Sequence, residues 1–172
     1  MQPPPAAGKS VDRFAFFGLT PGFDLDTAAL EEQFRALSRK LHPDRFARAS
    51  AQERRYSLEQ TTLLNDAHKT LRDPMRRAEH FLQLRGVSSD PKMSPEFLEE
   101  TLEDREKLLE AKMSGEPLEG LVKAAEAKRD TALLEARKLI EAGDLNTAAE
   151  RLARMKYYAR YLDEAQGRAA EV

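Results

Sequence analysis

Neither cysteine nor tryptophan occurs in the 172-residue chain. Without cysteine there can be no disulfide and no zinc or iron–sulfur centre held by the chain's own thiolates, and a reducing cytoplasm becomes the expected location. Net charge is nearly absent as well. With 28 Lys and Arg against 30 Asp and Glu, the balance is −2, so no global electrostatic case exists for nucleic acid or a membrane surface. No apolar run approaches the ~20 residues a membrane span needs. Met1 to Ser10 holds one Lys and no apolar core; no secretory leader is expected there, and Pro3-Pro4-Pro5 marks residues 1–10 as a disordered tail. The glycines are isolated at the ends of helical patterns, which leaves no phosphate-cradling loop.

What the chain does have is charge, 34% of all residues, interleaved with apolar positions at helical spacing. A short block with Phe14, Phe16, Phe17 and Leu19 reads as a brief helix between Val11 and Leu19. Asp26 is the expected N-cap of a second helix running to about Leu41, with Leu30, Phe34, Leu37 and Leu41 on one face. Ser50-Ala51-Gln52-Glu53 is a capping-box pattern, and it opens a third helix through Leu63, Leu64, Ala67 and Leu71 to Arg72. Asp73-Pro74 starts a fourth, carrying Met75, Ala78, Phe81 and Leu82 and ending at Gly86. Ser88, Ser89, Asp90 and Pro91 make residues 87–94 the expected boundary. Beyond it, helices from Ser94-Pro95 to Met113, from Leu118 to Ala142 and from Asp144 toward Ala169 are joined by short Gly-containing links, a three-helix bundle pattern. Leu121, Val122, Ala125, Ala132 and Leu133 are available for burial in its second helix, and Leu145, Ala149, Leu152, Met155 and Leu162 in its third. The fold expected is all-α in two units.

Between the second and third helices lies Leu41-His42-Pro43-Asp44-Arg45-Phe46. Pro43 fixes its own φ and pushes His42 out of the α region, so the incoming helix must stop near His42 and an exposed polar turn follows. Charge divides the chain too. Residues 35–55 hold seven cations (Arg35, Arg39, Lys40, Arg45, Arg48, Arg54, Arg55) against two acids, whereas residues 96–110 hold seven acids (Glu96, Glu99, Glu100, Glu103, Asp104, Glu106, Glu110) against Arg105 and Lys107. Opposite signs on two units suggest two partners, each selected by charge.

Catalysis by this chain is not expected. His42 and Asp44 could form an acid–base pair but have no companion nucleophile or oxyanion donors. Asp66 and His68, two residues apart on a helix, point apart, and His80 falls near the end of the fourth helix. Three scattered histidines make no metal set, so no catalytic residue, metal ligand or cofactor is assigned. Protein recognition suits His42-Pro43-Asp44 better: a preordered turn loses little entropy on binding, Asp44 can take a bidentate Arg, and His42 can donate or accept at neutral pH.

Several stretches together carry a family resemblance. Phe16-Phe17-Gly18-Leu19, Phe23-Asp24-Leu25-Asp26, His42-Pro43-Asp44-Arg45-Phe46, Leu64-Asn65-Asp66-Ala67 and Leu71-Arg72-Asp73-Pro74 with Arg77-Ala78-Glu79 resemble the J-domain, the module that stimulates ATP hydrolysis by heat-shock chaperones. The likeness is nearest to the HscB-type co-chaperones of iron–sulfur cluster assembly, in the bacterial form without N-terminal zinc-binding cysteines. It implies a J-domain at residues 11–86, a linker at 87–94 and a client-binding three-helix bundle at 95–172. It further implies that His42, Pro43 and Asp44 engage an HscA-type ATPase chaperone, with Arg35, Arg39 and Lys40 as basic flank. The bundle's first helix would bind an IscU-type iron–sulfur scaffold protein through Leu98, Glu99, Leu102, Glu103, Glu106 and Glu110, with Tyr157 from the last helix. Leu98, Leu102 and Glu106 follow i, i+4, i+8, a stripe apolar at its start and acidic beyond. Glu99 stands where some members have an apolar residue, and Tyr157 replaces a Phe. A monomer is expected. Two other readings remain: a general J-protein whose bundle binds other clients, and a helical adaptor with no ATPase partner.

Overall fold

The computed structural model describes residues 11–88 and 90–167. Among these, every regular element is helical: α1 (Arg13–Phe16), α2 (Thr27–Leu41), a 3₁₀ turn (Pro43–Phe46), α3 (Ala51–Arg72), α4 (Pro74–Leu84), α5 (Pro95–Ser114), α6 (Glu119–Ala142) and α7 (Leu145–Ala165). They form two compact units, the first ending at Arg85 and the second beginning at Gly86. The expected tail at residues 1–10 and the chain end after Gly167 lie outside the described residues.

Local chemistry sets most boundaries. Asp26 accepts from the Ala28 and Ala29 amides at 2.9 and 3.0 Å, opening α2. The Ser50–Glu53 box is closed in both directions, with the Glu53 amide 3.3 Å from Ser50 Oγ and the Ser50 amide 2.9 Å from Glu53 Oε2. Asp73 caps α4 through the Arg76 amide at 2.9 Å, with Pro74 in the first turn, where its missing N–H costs nothing. Gly115 and Gly143 end α5 and α6 at φ +72° and +82°, in the left-handed region that favours glycine. The expected first helix is shorter than Val11–Leu19: Asp12 caps a single turn, and the chain reverses at Gly18 with φ +64°.

In the first unit α2 and α3 form an antiparallel hairpin. At one end His68 of α3 stacks on Phe34 at 3.9 Å between centroids and bonds Glu31 at 2.9 Å; that hydrogen bond is the main cause holding the Glu31 carboxyl below its usual range. At the other end Ser57 and Thr61 reach the last carbonyl of α2. Phe14, Phe17, Phe23, Leu30, Leu64, Leu71 and Phe81 fill the interior. Three polar side chains are buried in the same unit: Ser57, Arg77 and His80. Arg77 donates through Nε to the Phe23 carbonyl and through Nη1 to the Leu71 carbonyl, both at 2.7 Å. His80 stacks on Phe14 and accepts the Arg13 amide at 3.0 Å, while Arg13 pairs with Asp66 of α3 at 2.8 Å.

The second unit is an up-down-up bundle. The closest backbone approach is between α6 and α7, where Ala125, Ala132, Ala136, Ala148 and Ala149 are buried and Arg151 pairs with Glu135 at 2.8 Å. Helix α5 rests on that pair through larger side chains. Phe97 meets Tyr157 and Tyr158 edge-on, and Lys112 donates to the Glu164 carbonyl at 2.7 Å, so α5 and α7 run parallel. Tyr158 and Tyr161 are buried beside Leu162. Of the apolar positions expected in the interior, Leu121, Val122, Leu133, Leu145 and Met155 are only partly covered, because alanines occupy the closest helix contact.

Candidate functional site

Helix α2 stops because His42 leaves the α region (φ −57°, ψ 129°), as the residue before a proline is driven to do. Pro43 then starts one turn of 3₁₀ helix, Pro43–Phe46, at the expected exposed polar turn. Two hydrogen bonds close it: the Asp44 amide donates to His42 Nδ1 at 3.3 Å and the Arg45 amide to the His42 carbonyl at 3.0 Å. With Nδ1 accepting, the neutral ring carries its proton on Nε2. The Asp44 carboxylate lies 3.5 Å from His42 Nδ1, and both side chains are mostly exposed, 57% for His42 and 89% for Asp44.

The turn is braced from behind. Ser57 Oγ and Thr61 Oγ1, both on α3, donate to the Leu41 carbonyl at 2.6 and 3.1 Å. That carbonyl is among the four at a helix end with no partner inside the helix. Arg45 adds a bond to the Arg39 carbonyl at 3.3 Å. Arg35 and Arg39 line one shallow depression on the outer face of α2 with Ala28 and Glu32, and Lys40 is exposed in the last turn, where the helix dipole favours cations. His42, Pro43, Asp44, Arg39 and Lys40 thus occupy one exposed end of the hairpin, and Arg35 lies one helical turn back along α2 from Arg39.

On the second unit, α5 sorts its residues by face. Phe97, Leu108 and Ala111 are buried, whereas Leu98 and Leu102 are 52% and 63% exposed. Leu98 and Leu102 are therefore not bundle core. Glu99, Glu103, Glu106 and Glu110 are also exposed, and Glu103 pairs with Lys107 at 3.5 Å. Glu96 is exposed as well, but Glu100 and Asp104 turn inward: Lys128 of α6 sits 2.8 Å from both. Burial works against the Lys128 charge, but its hydrogen bonds to Asp104 and Glu100 outweigh it and raise its pKa. Tyr158 closes this network by donating to Glu100 at 3.0 Å. Tyr157 takes a different place: half-buried, it donates to the Thr101 carbonyl at 2.8 Å. Burial, with Asp104 nearby, pushes its phenol up to about 12.

Sequence reasoning passed over two residues on this face, Leu109 and Met113, which are 59% and 81% exposed. Continuing the spacing from Leu102 by seven and then four would have found them. At 100° per residue, Glu106 drifts to the edge of the strip that Leu98 and Leu102 begin, and Leu109 falls back into it.

Residues 93–166 match the family model described as the HSCB C-terminal oligomerisation domain. The chain is 38% identical over 162 residues to a co-chaperone protein HscB homolog of Shewanella halifaxensis, covering 88% of this chain and 92% of that protein. A second homolog, from Shewanella pealeana, is 37% identical with the same coverage. Among solved structures, chaperone HscB from Vibrio cholerae superimposes with a TM-score of 0.80 at 33% identity, covering 91% of this chain and 96% of that one. Human co-chaperone protein HscB gives 0.80 at 30% identity, with 94% and 83% covered. With an identity of this size across both units, the chain belongs to the HscB family of co-chaperones, built as a J-domain followed by a C-terminal helical bundle.

Proposed function

We propose that this co-chaperone stimulates the ATPase of an HscA-type chaperone and delivers an IscU-type scaffold protein to it, assisting iron–sulfur cluster transfer. The modules would run from 11 to 86 and from 95 to 172, joined by 87–94, in a cytoplasmic monomer that performs no chemistry of its own. The observation that carries the reading is the exposed His42-Pro43-Asp44 turn, braced through the Leu41 carbonyl and flanked by cations. A turn held in shape before contact loses little entropy on docking. Asp44 offers a carboxylate for a bidentate Arg on the ATPase, the His42 Nε2–H is a donor, and Arg35, Arg39 and Lys40 would steer the encounter toward an acidic surface.

The scaffold would dock on α5 through Leu98, Glu99, Leu102, Glu103, Glu106 and Glu110, with Tyr157 at the side facing α7. What supports this is that Leu98 and Leu102 remain exposed while their neighbour Phe97 supplies the packing. Single-turnover ATPase assays test the first half: wild-type protein accelerates hydrolysis and His42→Gln does not, with an unchanged melting curve. No stimulation by wild type, or full stimulation by the variant, overturns the J-domain assignment. Calorimetric titration with a purified IscU-type scaffold tests the second, and absence of binding by wild type overturns it.

A further inference from the structure

Four large apolar side chains of one 20-residue helix face solvent: Leu98, Leu102, Leu109 and Met113, at 52, 63, 59 and 81% exposure. Single exposed leucines need no explanation. These four, however, fall within about 60° of arc on the helix wheel and span about 22 Å of its length. Arg105 interrupts the strip at its middle and pairs with Glu164 of α7 at 3.6 Å. The strip therefore has two apolar lobes, and the core-facing residues Phe97, Leu108 and Ala111 lie well round the helix from both. Packing does not account for the second lobe.

We infer that Leu109 and Met113 form a second apolar anchor for the scaffold protein, so that the docking face runs the length of α5. This rests on the scaffold-binding reading given above. Charge selects the occupant. Glu99, Glu103, Glu106 and Glu110 form an exposed acidic row along one side of the strip. A second copy of this chain carries the same row, and antiparallel pairing through α5 sets acid against acid. The surface that fits is an apolar ridge of the scaffold, about four helical turns long, rimmed by Lys or Arg. The two lobes also fix register, because a ridge held only at Leu98 and Leu102 could pivot, whereas one held at both ends cannot.

The test is calorimetric titration of the full-length protein with a purified IscU-type apo-scaffold, using the Leu109→Ala/Met113→Ala variant. Both side chains are exposed, so its melting temperature stays at the wild-type value, and the Kd rises about tenfold or more. A conservative Leu109→Ile/Met113→Leu variant restores the affinity. Wild-type affinity in the alanine variant, with Leu98→Ala/Leu102→Ala still weakened, overturns the second anchor and leaves the first reading standing. Undiminished binding in both alanine variants overturns both. Wild-type affinity that does not fall with added salt overturns the basic rim. Sedimentation that shows a wild-type dimer broken by Leu109→Ala/Met113→Ala assigns the lobe to a second copy and overturns the inference.

Discussion

The two units present their proposed contact surfaces in opposite ways. The first offers a break in a helical hairpin, whose shape depends on hydrogen bonds from residues 16 and 20 positions along the chain. The second offers the outer face of an unbroken helix, whose shape depends on nothing beyond α5 remaining helical and seated. Their interiors follow suit. The J-domain buries Arg77, His80 and Ser57 to tie distant segments together, while the bundle relies on an alanine seam and an aromatic cluster. A surface made from a turn must be buttressed by its unit's interior; a surface made from a helix face can vary independently of the packing behind it.

The largest effect separating the two is expected from Arg77→Ala. It leaves the Phe23 and Leu71 carbonyls without their donor inside the J-domain, and chemical denaturation should report a loss of about 3 kcal/mol. On the bundle, Leu98→Ala/Leu102→Ala should weaken scaffold binding about tenfold in calorimetry. The same variant should shift unfolding by less than about 0.5 kcal/mol, since both side chains already face water. A large loss of stability there would mean that the α5 face is part of the core and would break the contrast. Ser57→Ala is milder, at about 1 kcal/mol, but it removes the closer of the two donors behind the turn. ATPase stimulation should therefore fall with no change at His42, Pro43 or Asp44.

The finest contrast is in pH. All three histidines lie in the J-domain, at positions 42, 68 and 80. Burial, and then the Arg13 charge, lower the His80 pKa, so the folded state binds this proton less readily than the unfolded chain. Its contribution to stability is complete above the ordinary histidine range near 6.5 and is lost as pH falls through that value toward the folded pKa. In the bundle, the hydrogen bond from Lys128 is the leading cause that lowers the Glu100 pKa. That contribution is present above the usual glutamate range near 4.5 and is lost only as pH falls below it. Amide exchange followed residue by residue from pH 7 to 4 should show the J-domain loosening first, and His80→Phe should reduce its sensitivity. Simultaneous loosening of both units over the histidine range would sink this account.

Helix existence and type, and most termini, were legible in the residues themselves; the single-turn α1 and the end of α7 at Ala165 fell short of the pattern. Asp26, the Ser50–Glu53 box, Asp73-Pro74, Gly115 and Gly143 act through bonds or backbone angles within a turn of where they stand, and so does the Pro43 break. The His42-Pro43-Asp44 turn was legible for the same reason. What no local rule could decide was the rotation of each helix about its own axis. That rotation separates Glu100 and Asp104, turned in to Lys128, from Glu99 and Glu103, turned out. It also buries Tyr158 beside a half-exposed Tyr157, and leaves Leu98, Leu102, Leu109 and Met113 in water while Phe97 and Leu108 pack. In the J-domain it brings Ser57 under the Leu41 carbonyl and Arg77 under Phe23. Capping and chain reversal are interactions between near neighbours, which the order of residues specifies. Burial is settled by which surfaces of all the helices in a unit fit together at once, and that fit exists only in the folded state.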